Sequence, residues 1–175
     1  MKPTYAGLWP RWLAFAVDYI AIAAYLVVLV AAGWAARRFA PGAVAVLFGN
    51  PLSGELTGFA LITLPVTLYF ALMESSPRQA TWGKRRLGLR VQRLDRQRLS
   101  RGRALDRAAL KFAPWELAHA CIWQVTFAGP RPSALIAVGF SLVWLLVGAN
   151  LVSLSVNRQH QTLYDWLSDS VVARG

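Results

Sequence analysis

The sequence has few of the residues from which soluble domains and metal centres are built. Only 15% of its 175 residues are charged, and it contains 8 acidic residues, two histidines and one cysteine. A single cysteine, Cys121, excludes an intramolecular disulfide, and the histidines and cysteine offer no zinc or iron–sulfur spacing. No metal site and no cofactor are therefore expected.

Long apolar runs take the place of polar sequence. Hydrophobic residues make up 56% of the chain and the mean hydropathy is +0.40, whereas a soluble domain has about 25% charged residues. Runs of about 20 apolar residues cross a bilayer as helices. The runs predict four spans, at 12–36, 58–74, 108–128 and 134–154, with a tight link at 129–132 and an external loop at 40–57 that contains a short interfacial piece. The first run is interpreted as a retained helix, because it is too long for a signal peptide and contains Asp18.

The basic residues are concentrated between the second and third predicted spans. Of the 19 Lys and Arg, twelve lie in residues 78–111, and such residues accumulate on the cytoplasmic side of membrane proteins. We therefore expect the basic loop 75–107, the tail 157–175 and both termini in the cytoplasm, with the protein in an inner membrane. The loop would face anionic lipid. A nucleic-acid partner is not expected, although the net charge is +11.

Short elements are predicted in the cytoplasmic segments. Residues 87–91 alternate as in a strand, and residues 95–97 could turn the chain into a β-hairpin with residues 98–100. Ser100 is placed to cap a following helix, which would lie on the membrane surface or run directly into the third span. The predicted fold is a single-domain, all-α membrane protein: a bundle of about four transmembrane helices with a small basic cytoplasmic cap containing this hairpin.

Ionisable residues inside the predicted spans are the candidate site. A carboxylate in the hydrocarbon core costs about 2.5–3.5 kcal/mol by insertion scales and is usually paired or functional, which singles out Asp18. Arg11 lies two turns earlier, about 10 Å away. Asp18 therefore needs another partner: water, a loop arginine or a group on another helix. Glu116 and His119 share a helix face within hydrogen-bonding reach, which would suit a proton relay.

For both clusters the alternative is a satisfied structural pair. By depth, all these groups fall on the cytoplasmic half, so we expect them to line one inward-facing cavity. Glu74, at the end of the second span, is expected at the headgroups. Pro65 is expected to kink that span, with the hydroxyls of Thr63 and Thr67 satisfying the carbonyl that it frees.

No sequence pattern argues for an enzyme. The Gly83-Lys84 pair does not belong to a phosphate loop, because position 78 is Arg where that loop needs glycine and position 85 is Arg rather than Ser or Thr.

Three stretches resemble the RDD family of bacterial membrane proteins. Residues 7–18 are similar to the family's first helix, residues 80–91 to its T-x-G-K-x-x-x-G-x-x-V stretch, and residues 161–166 to its closing Q-T-x-x-D segment. The resemblance implies a membrane bundle and, because some members are associated with cation/proton antiport, it makes antiport a hypothesis. The positions it marks are Arg11, Asp18, Thr81, Gly83, Lys84, Gly88, Arg103, Arg107 and Asp165.

Two cytoplasmic segments also resemble each other. Residues 81–91 and 162–172 each begin with threonine, carry a charged residue three positions later and end in valine. Both could be a capped turn followed by a short strand. The repetition predicts that the two strands lie side by side and that the two charged residues, Lys84 and Asp165, lie close together as an ion pair.

Two functional classes follow from these observations. The first is a secondary transporter or transport subunit for a small cation or solute, with Asp18 as coupling carboxylate, Glu116 and His119 as proton relay, and Arg11 with Asp165 shaping the inner mouth. A four-helix chain is small for a transporter, so this class implies a homo-oligomer. The second is a non-transporting scaffold or assembly partner whose basic loop binds anionic lipid or an acidic protein.

Overall fold

The structure is a computed structural model that describes residues 4–128 and 133–175, so the predicted link at 129–132 lies outside the described residues. The chain is mostly helical with one small sheet. The helices are α1 Leu8–Phe39, α2 Pro41–Phe48, α3 Pro51–Gly58, α4 Leu64–Glu74, α5 Trp82–Arg86, α6 Arg101–Phe127, α7 Ala134–Val156 and α8 Leu163–Leu167. A π-helical turn, Phe59–Thr63, joins α3 to α4, and the strands are β1 Leu89–Gln92 and β2 Val171–Arg174.

Within the described residues, three helices are long and apolar enough to cross a membrane: α1, the continuous stretch Pro51–Glu74, and α7. The predicted third span lies in α6, which is not one of the three because Lys111, Glu116 and His119 lower its apolar content. α6 nevertheless packs along α4 and α7. The structure therefore supports three spans, and the predicted number of four is not confirmed.

α6 begins where the sequence predicts. Ser100 caps it by accepting a hydrogen bond from the Arg103 N–H at 3.3 Å. The helix then runs without interruption past Pro114 to Phe127. Of the two predicted alternatives, the direct run into the following apolar segment is the one observed.

The predicted β-hairpin is wrong. β1 pairs antiparallel with β2 from the end of the chain, with Leu89 opposite Arg174 and Gln92 opposite Val171. β1 buries Leu89 and Val91, and β2 offers three consecutive buried apolar residues against them, whereas residues 98–100 offer only Leu99. The prediction that the two strands lie side by side is confirmed. We call the end of the bundle that carries α5, β1, α8 and β2 the sheet end.

Pro65 lies in the first turn of α4, directly after the π-helical turn. Pro65 has no N–H to donate to the carbonyl of Leu61, four residues earlier. The hydroxyl of Tyr25 on α1 donates to that carbonyl at 2.6 Å. The expectation that threonine hydroxyls satisfy it is wrong for Thr63, which donates to Glu116 instead. A neighbouring helix therefore supplies the missing hydrogen bond.

Candidate functional site

Asp18 is buried against the start of α5. Its carboxylate accepts three hydrogen bonds, from the Tyr69 hydroxyl at 3.0 Å, the Thr81 hydroxyl at 2.6 Å and the Gly83 N–H at 2.7 Å. None of these donors is charged. Tyr69 on α4 is the predicted partner from another helix. The predicted arginine from the basic loop is not among the donors; Thr81 and Gly83 of that loop donate instead.

The local fold explains why Thr81 and Gly83 stand at these positions. Thr81 caps α5 by accepting from the Lys84 N–H at 3.4 Å, which leaves its own proton for Asp18. A Cβ atom at Gly83 would clash with the backbone carbonyl of Ala14, because α5 packs directly on α1. These two residues thus anchor α5 on α1.

Gly88 has a different role in the same motif. It precedes β1 with φ +63°, in the left-handed region that glycine occupies without steric cost. Its carbonyl accepts from the N–H of Gly175 at 2.7 Å, which holds the end of the chain beside β1. Gly88 therefore sets the direction in which β1 leaves α5.

Five charged side chains from five helices form one connected ion-pair network at the sheet end. In order they are Arg11 of α1, Asp165 of α8, Arg107 of α6, Glu74 of α4 and Lys84 of α5. Arg107 is central, because its guanidinium binds both carboxylates and its Nε donates to Asp165 at 2.9 Å. Both carboxylates are fully buried, and each has two cationic partners.

The network corrects two predictions. Lys84 and Asp165 form no direct ion pair: Lys84 pairs with Glu74, and Arg107 stands between Glu74 and Asp165. Glu74 was expected at the headgroups, but its side chain is 0% exposed and faces Lys84 and Arg107 rather than a surface. It is a member of the site that the sequence reasoning missed, because its position at the end of an apolar run resembled an interfacial boundary.

Burial and pairing act in opposite directions on the network groups. Burial by itself raises the pKa of Asp165, but Arg107 and Arg11 together overcome that effect and hold the pKa well below its usual range. Burial lowers the pKa of the Lys84 ammonium, and the carboxylate of Glu74 opposes that shift.

The second threonine motif is built like the first. Thr162 caps α8: its hydroxyl accepts from the Asp165 N–H at 3.3 Å, and its own N–H donates to the Asp165 carboxylate at 3.2 Å. Each motif is thus a capped five-residue helix followed by a strand, with Val91 opposite Val172. The predicted form of the two segments is confirmed.

Arg103 does not enter the network. It is exposed and binds Asp169 at 2.6 Å, on the surface of the sheet end. The hydrogen bond from Arg103, with a further contribution from Arg93, lowers the pKa of Asp169. Of the two arginines that the resemblance marks on this helix, only Arg107 is buried with the other charges.

Glu116 and His119 form a separate cluster. The Trp123 indole N–H donates to Nε2 of His119 at 3.0 Å, and because an indole nitrogen only donates, the imidazole proton lies on Nδ1. That nitrogen is 3.9 Å from Glu116 Oε2, beyond hydrogen-bonding distance, and finds no other partner among residues 4–128 and 133–175. Glu116 accepts from Thr63.

The two clusters do not share a cavity, so the predicted single polar cavity is wrong. The cavity between α1, α4, α6 and α7 is lined by Asp18 and also by Thr63, the partner of Glu116, but by neither Glu116 nor His119.

A cavity of about 490 Å³ lies between α1, α4, α6 and α7. Its walls are mainly apolar, and its floor at the sheet end is charged. The floor consists of Arg11, Asp18, Lys84, Arg107 and Lys111. A concave apolar site with a few polar groups at one end is the usual form of a small-molecule site.

Lys111 is the second site residue that the sequence reasoning missed. Its Nζ lies 3.5 Å from the ring centroid of Phe70, 4.9 Å from that of Phe15 and 5.0 Å from that of Phe112. Within the described part of the chain it forms no ion pair. Two of the three rings come from helices distant in sequence, so the sequence alone could indicate a contact only with the neighbouring Phe112.

The model of the RDD family matches residues 5–169, which includes all three stretches that carry the resemblance. No curated protein and no solved structure matches the chain. The match spans nearly the whole sequence, in agreement with the apolar helices and the threonine motif built around Asp18. The chain belongs to the RDD family.

Proposed function

We propose that this protein is a membrane transport protein or transport subunit, rather than an enzyme, and that its solute occupies the cavity between α1, α4, α6 and α7. The observation that carries the proposal is a cavity of about 490 Å³ with apolar walls and a charged floor, inside a bundle of membrane-type helices. This volume lies within the range of small-molecule sites, about 300–1,000 Å³.

In this proposal α6 is the fourth helix to cross the membrane. Its polar groups have partners within the bundle: Lys111 lies against aromatic rings, Glu116 accepts from Thr63, and His119 accepts from Trp123 of α6 itself. The sheet end faces the cytoplasm of an inner membrane, because the basic residues of the chain are concentrated there. Several copies assemble, since one chain has few helices for a transport pathway.

The site residues divide into two roles. Arg11 and Asp165 hold the inner mouth in shape through the network. Asp18 positions α5, because its carboxylate already accepts three hydrogen bonds. Coupling to protons is assigned to Glu116 and His119, since Nδ1 of the imidazole finds no hydrogen-bond partner among the described residues.

A non-transporting scaffold is the second candidate. It is favoured by the network itself, which joins five helices through their own charges and would serve a purely structural protein equally well. The exposed arginines of the sheet end, among them Arg78, Arg98 and Arg101, would then bind anionic lipid with about 1 kcal/mol each, or dock an acidic protein.

Filling the cavity separates the two candidates. Ala118 lines it from α6, so Ala118→Phe should block it, whereas Ala24→Phe adds the same ring to an exposed position on α1. Proteoliposomes would be assayed for proton flux under Na⁺, K⁺ or Li⁺ gradients and for flip of dodecanesulfonate and dodecyltrimethylammonium. Flux lost in Ala118→Phe and kept in Ala24→Phe supports transport. A folded wild type that moves none of these probes refutes it and favours the scaffold.

Asp18→Asn tests the assignment of roles in the same assay. We expect it to lower the amount of folded protein, because the amide can no longer accept in both of the places that Thr81 and Gly83 require. At matched amounts of folded protein, flux should persist. Normal folding combined with abolished flux would return the coupling role to Asp18.

A further inference from the structure

We infer that the ligand of this cavity is a single-chain amphiphile with an anionic head group, and that Lys111 binds the head group. The inference rests on the proposed function, because it names the class of solute for the same cavity. It is drawn from the charge balance of the floor, the surroundings of Lys111 and the length of the apolar walls.

With Lys111 protonated, the charges of the floor and the ion-pair network together do not balance. Four cations, Arg11, Lys84, Arg107 and Lys111, face three carboxylates, Asp18, Glu74 and Asp165, which leaves a formal excess of one positive charge. Isolated charges are expensive to hold away from water, so buried charges are usually paired. An anionic ligand would balance this cluster, whereas a cationic ligand would increase the excess.

Lys111 is the cation that carries the excess. Arg11, Lys84 and Arg107 each bind a carboxylate. Lys111 rests on three aromatic rings, which attract an ammonium but accept none of its hydrogen bonds in the way an oxygen does. Its ammonium can donate three hydrogen bonds, and it lines the cavity. A carboxylate, phosphate or sulfonate group supplies the acceptors that the rings lack.

The single carboxylate that lines the floor does not compete for this role. Asp18 accepts from Tyr69, Thr81 and Gly83, so its oxygens are directed at α4 and α5. A cation entering the cavity would approach Lys84, Arg107 and Lys111 before it found a free carboxylate oxygen. The floor therefore selects negative charge.

The walls fit one hydrocarbon chain. On α1 the cavity is lined from Leu8 to Leu26, and the part from Phe15, beside Lys111, to Leu26 is about 17 Å long at 1.5 Å per residue. Half of a bilayer's hydrocarbon core is about 15 Å, so an acyl chain from one leaflet matches the length. Ile22, Val66 and Val147 line this part with apolar groups.

The bilayer side of the cavity offers an entrance. Trp12 and Tyr19 of α1 and Leu151 of α7 line the cavity and are 54%, 48% and 48% exposed. Such exposed lining residues mark where the cavity opens between α1 and α7. An amphiphile can enter from the bilayer through this opening, so its hydrocarbon chain need not cross water on its way into the cavity.

Equilibrium binding tests the inference. The full-length protein in nanodiscs of phosphatidylcholine would be titrated with radiolabelled dodecanesulfonate and dodecyltrimethylammonium, with protein-free nanodiscs as blank. We expect saturable binding of the sulfonate and at least about tenfold weaker binding of the ammonium probe. Lys111→Met should weaken sulfonate binding about tenfold or more, while Lys111→Arg retains it. Arg86→Met removes a surface cation beside Trp82 at the same end and should change nothing.

The outcomes that overturn the inference differ from those that overturn transport. Equal binding of both probes, or unchanged sulfonate binding in Lys111→Met, refutes the anionic head group, yet transport stands if Ala118→Phe still blocks flux. If methanesulfonate displaces the long-chain probe at equal concentration, the ligand is a small anion, and the inference that it is an amphiphile is refuted. No saturable binding of either long-chain probe refutes the inference outright. If Lys111→Met does not fold, the comparison of the two probes on the wild type decides.

Discussion

Replacing Glu74 by glutamine removes a carboxylate that two buried cations share. Arg107 would keep Asp165 as a partner, but Lys84 would keep no carboxylate partner in the part of the chain that the structure describes. Its ammonium would remain 5.5 Å from the centroid of the Phe70 ring. The variant therefore leaves one buried charge almost uncompensated, at the point where α4, α5 and α6 meet.

The expected loss follows from the burial of the pair. Removing one partner of a buried ion pair costs about 3–5 kcal/mol. Because Arg107 retains its second partner and Lys84 retains a ring contact, we expect about 3 kcal/mol, at the lower end of that range. For a chain of this length that loss corresponds to a fall in melting temperature of about 6–12 °C.

Thermal unfolding in a mild detergent, followed by tryptophan fluorescence, measures this loss. Glu55→Gln is the matched control, because Glu55 lies on the same continuous helical stretch and has no ion pair among the described residues; its effect should stay within about 0.5 kcal/mol. Adding Lys84→Met to Glu74→Gln removes the uncompensated charge and should recover part of the loss. Equal melting temperatures for Glu74→Gln and Glu55→Gln would refute the buried network.

Three further predictions concern stability. Gly83→Ala should cost about 1–3 kcal/mol in a melting experiment, because the methyl group meets the Ala14 carbonyl, while Gly102→Ala has open space and should cost nothing. Because the pKa of Asp165 is lower in the folded state, its ionised carboxylate contributes its full stabilisation at pH values above the ordinary carboxylate pKa, about 4. That contribution is lost as the pH falls through the lower pKa of the folded state. Melting temperature should thus be flat from about pH 7 to 5 and fall below about 4, less steeply in Asp165→Asn; a decline starting near pH 6 would contradict this. Lys111→Met should melt at or above the wild-type temperature, because methionine packs on the same rings without an unpaired charge.

The apolar spans were predictable because length and hydropathy alone define them. The first and fourth predicted spans match α1 and α7 closely. The second begins earlier than predicted, at Pro51, because Asn50 and Ser53 form a capping box and proline suits the first helical position. The sequence analysis interpreted the same Asn-Pro pair as part of the external loop 40–57. The short interfacial piece expected within that loop is part of α2.

Whether α6 crosses the membrane could not be predicted with the same certainty, because a hydropathy value does not include the groups that contact its polar side chains. Lys111, Glu116 and His119 lower the apolar content of the helix, yet each lies against a group from its own bundle. A single sequence shows the polar residue but not the ring or hydroxyl that receives it. Whether such a helix crosses a membrane depends on those contacts.

The network shows the same limit for charges. The rule that buried charges are paired applies to every member, but it does not identify the partner. Arg11, the nearest cation to Asp18 along α1, binds Asp165 near the other end of the chain, and Asp18 is held by uncharged donors. The repeated threonine motif brought Lys84 and Asp165 to the same end of the bundle. Nothing in the repeat indicated Arg107, which joins them.

The charge balance distinguishes the charged residues that stabilise the fold from Lys111, which does not. Without Lys111, the floor and the network contain three cations and three carboxylates. Each cation forms an ion pair with a carboxylate of the network, and the third carboxylate, Asp18, accepts hydrogen bonds from Thr81 and Gly83. A purely structural arrangement would stop there. Lys111 adds a charge that binds no carboxylate among the described residues, and we expect an apolar side chain of similar length to replace it without loss of stability. Because such a residue costs stability unless something binds it, its position in the cavity is better explained by a ligand than by folding.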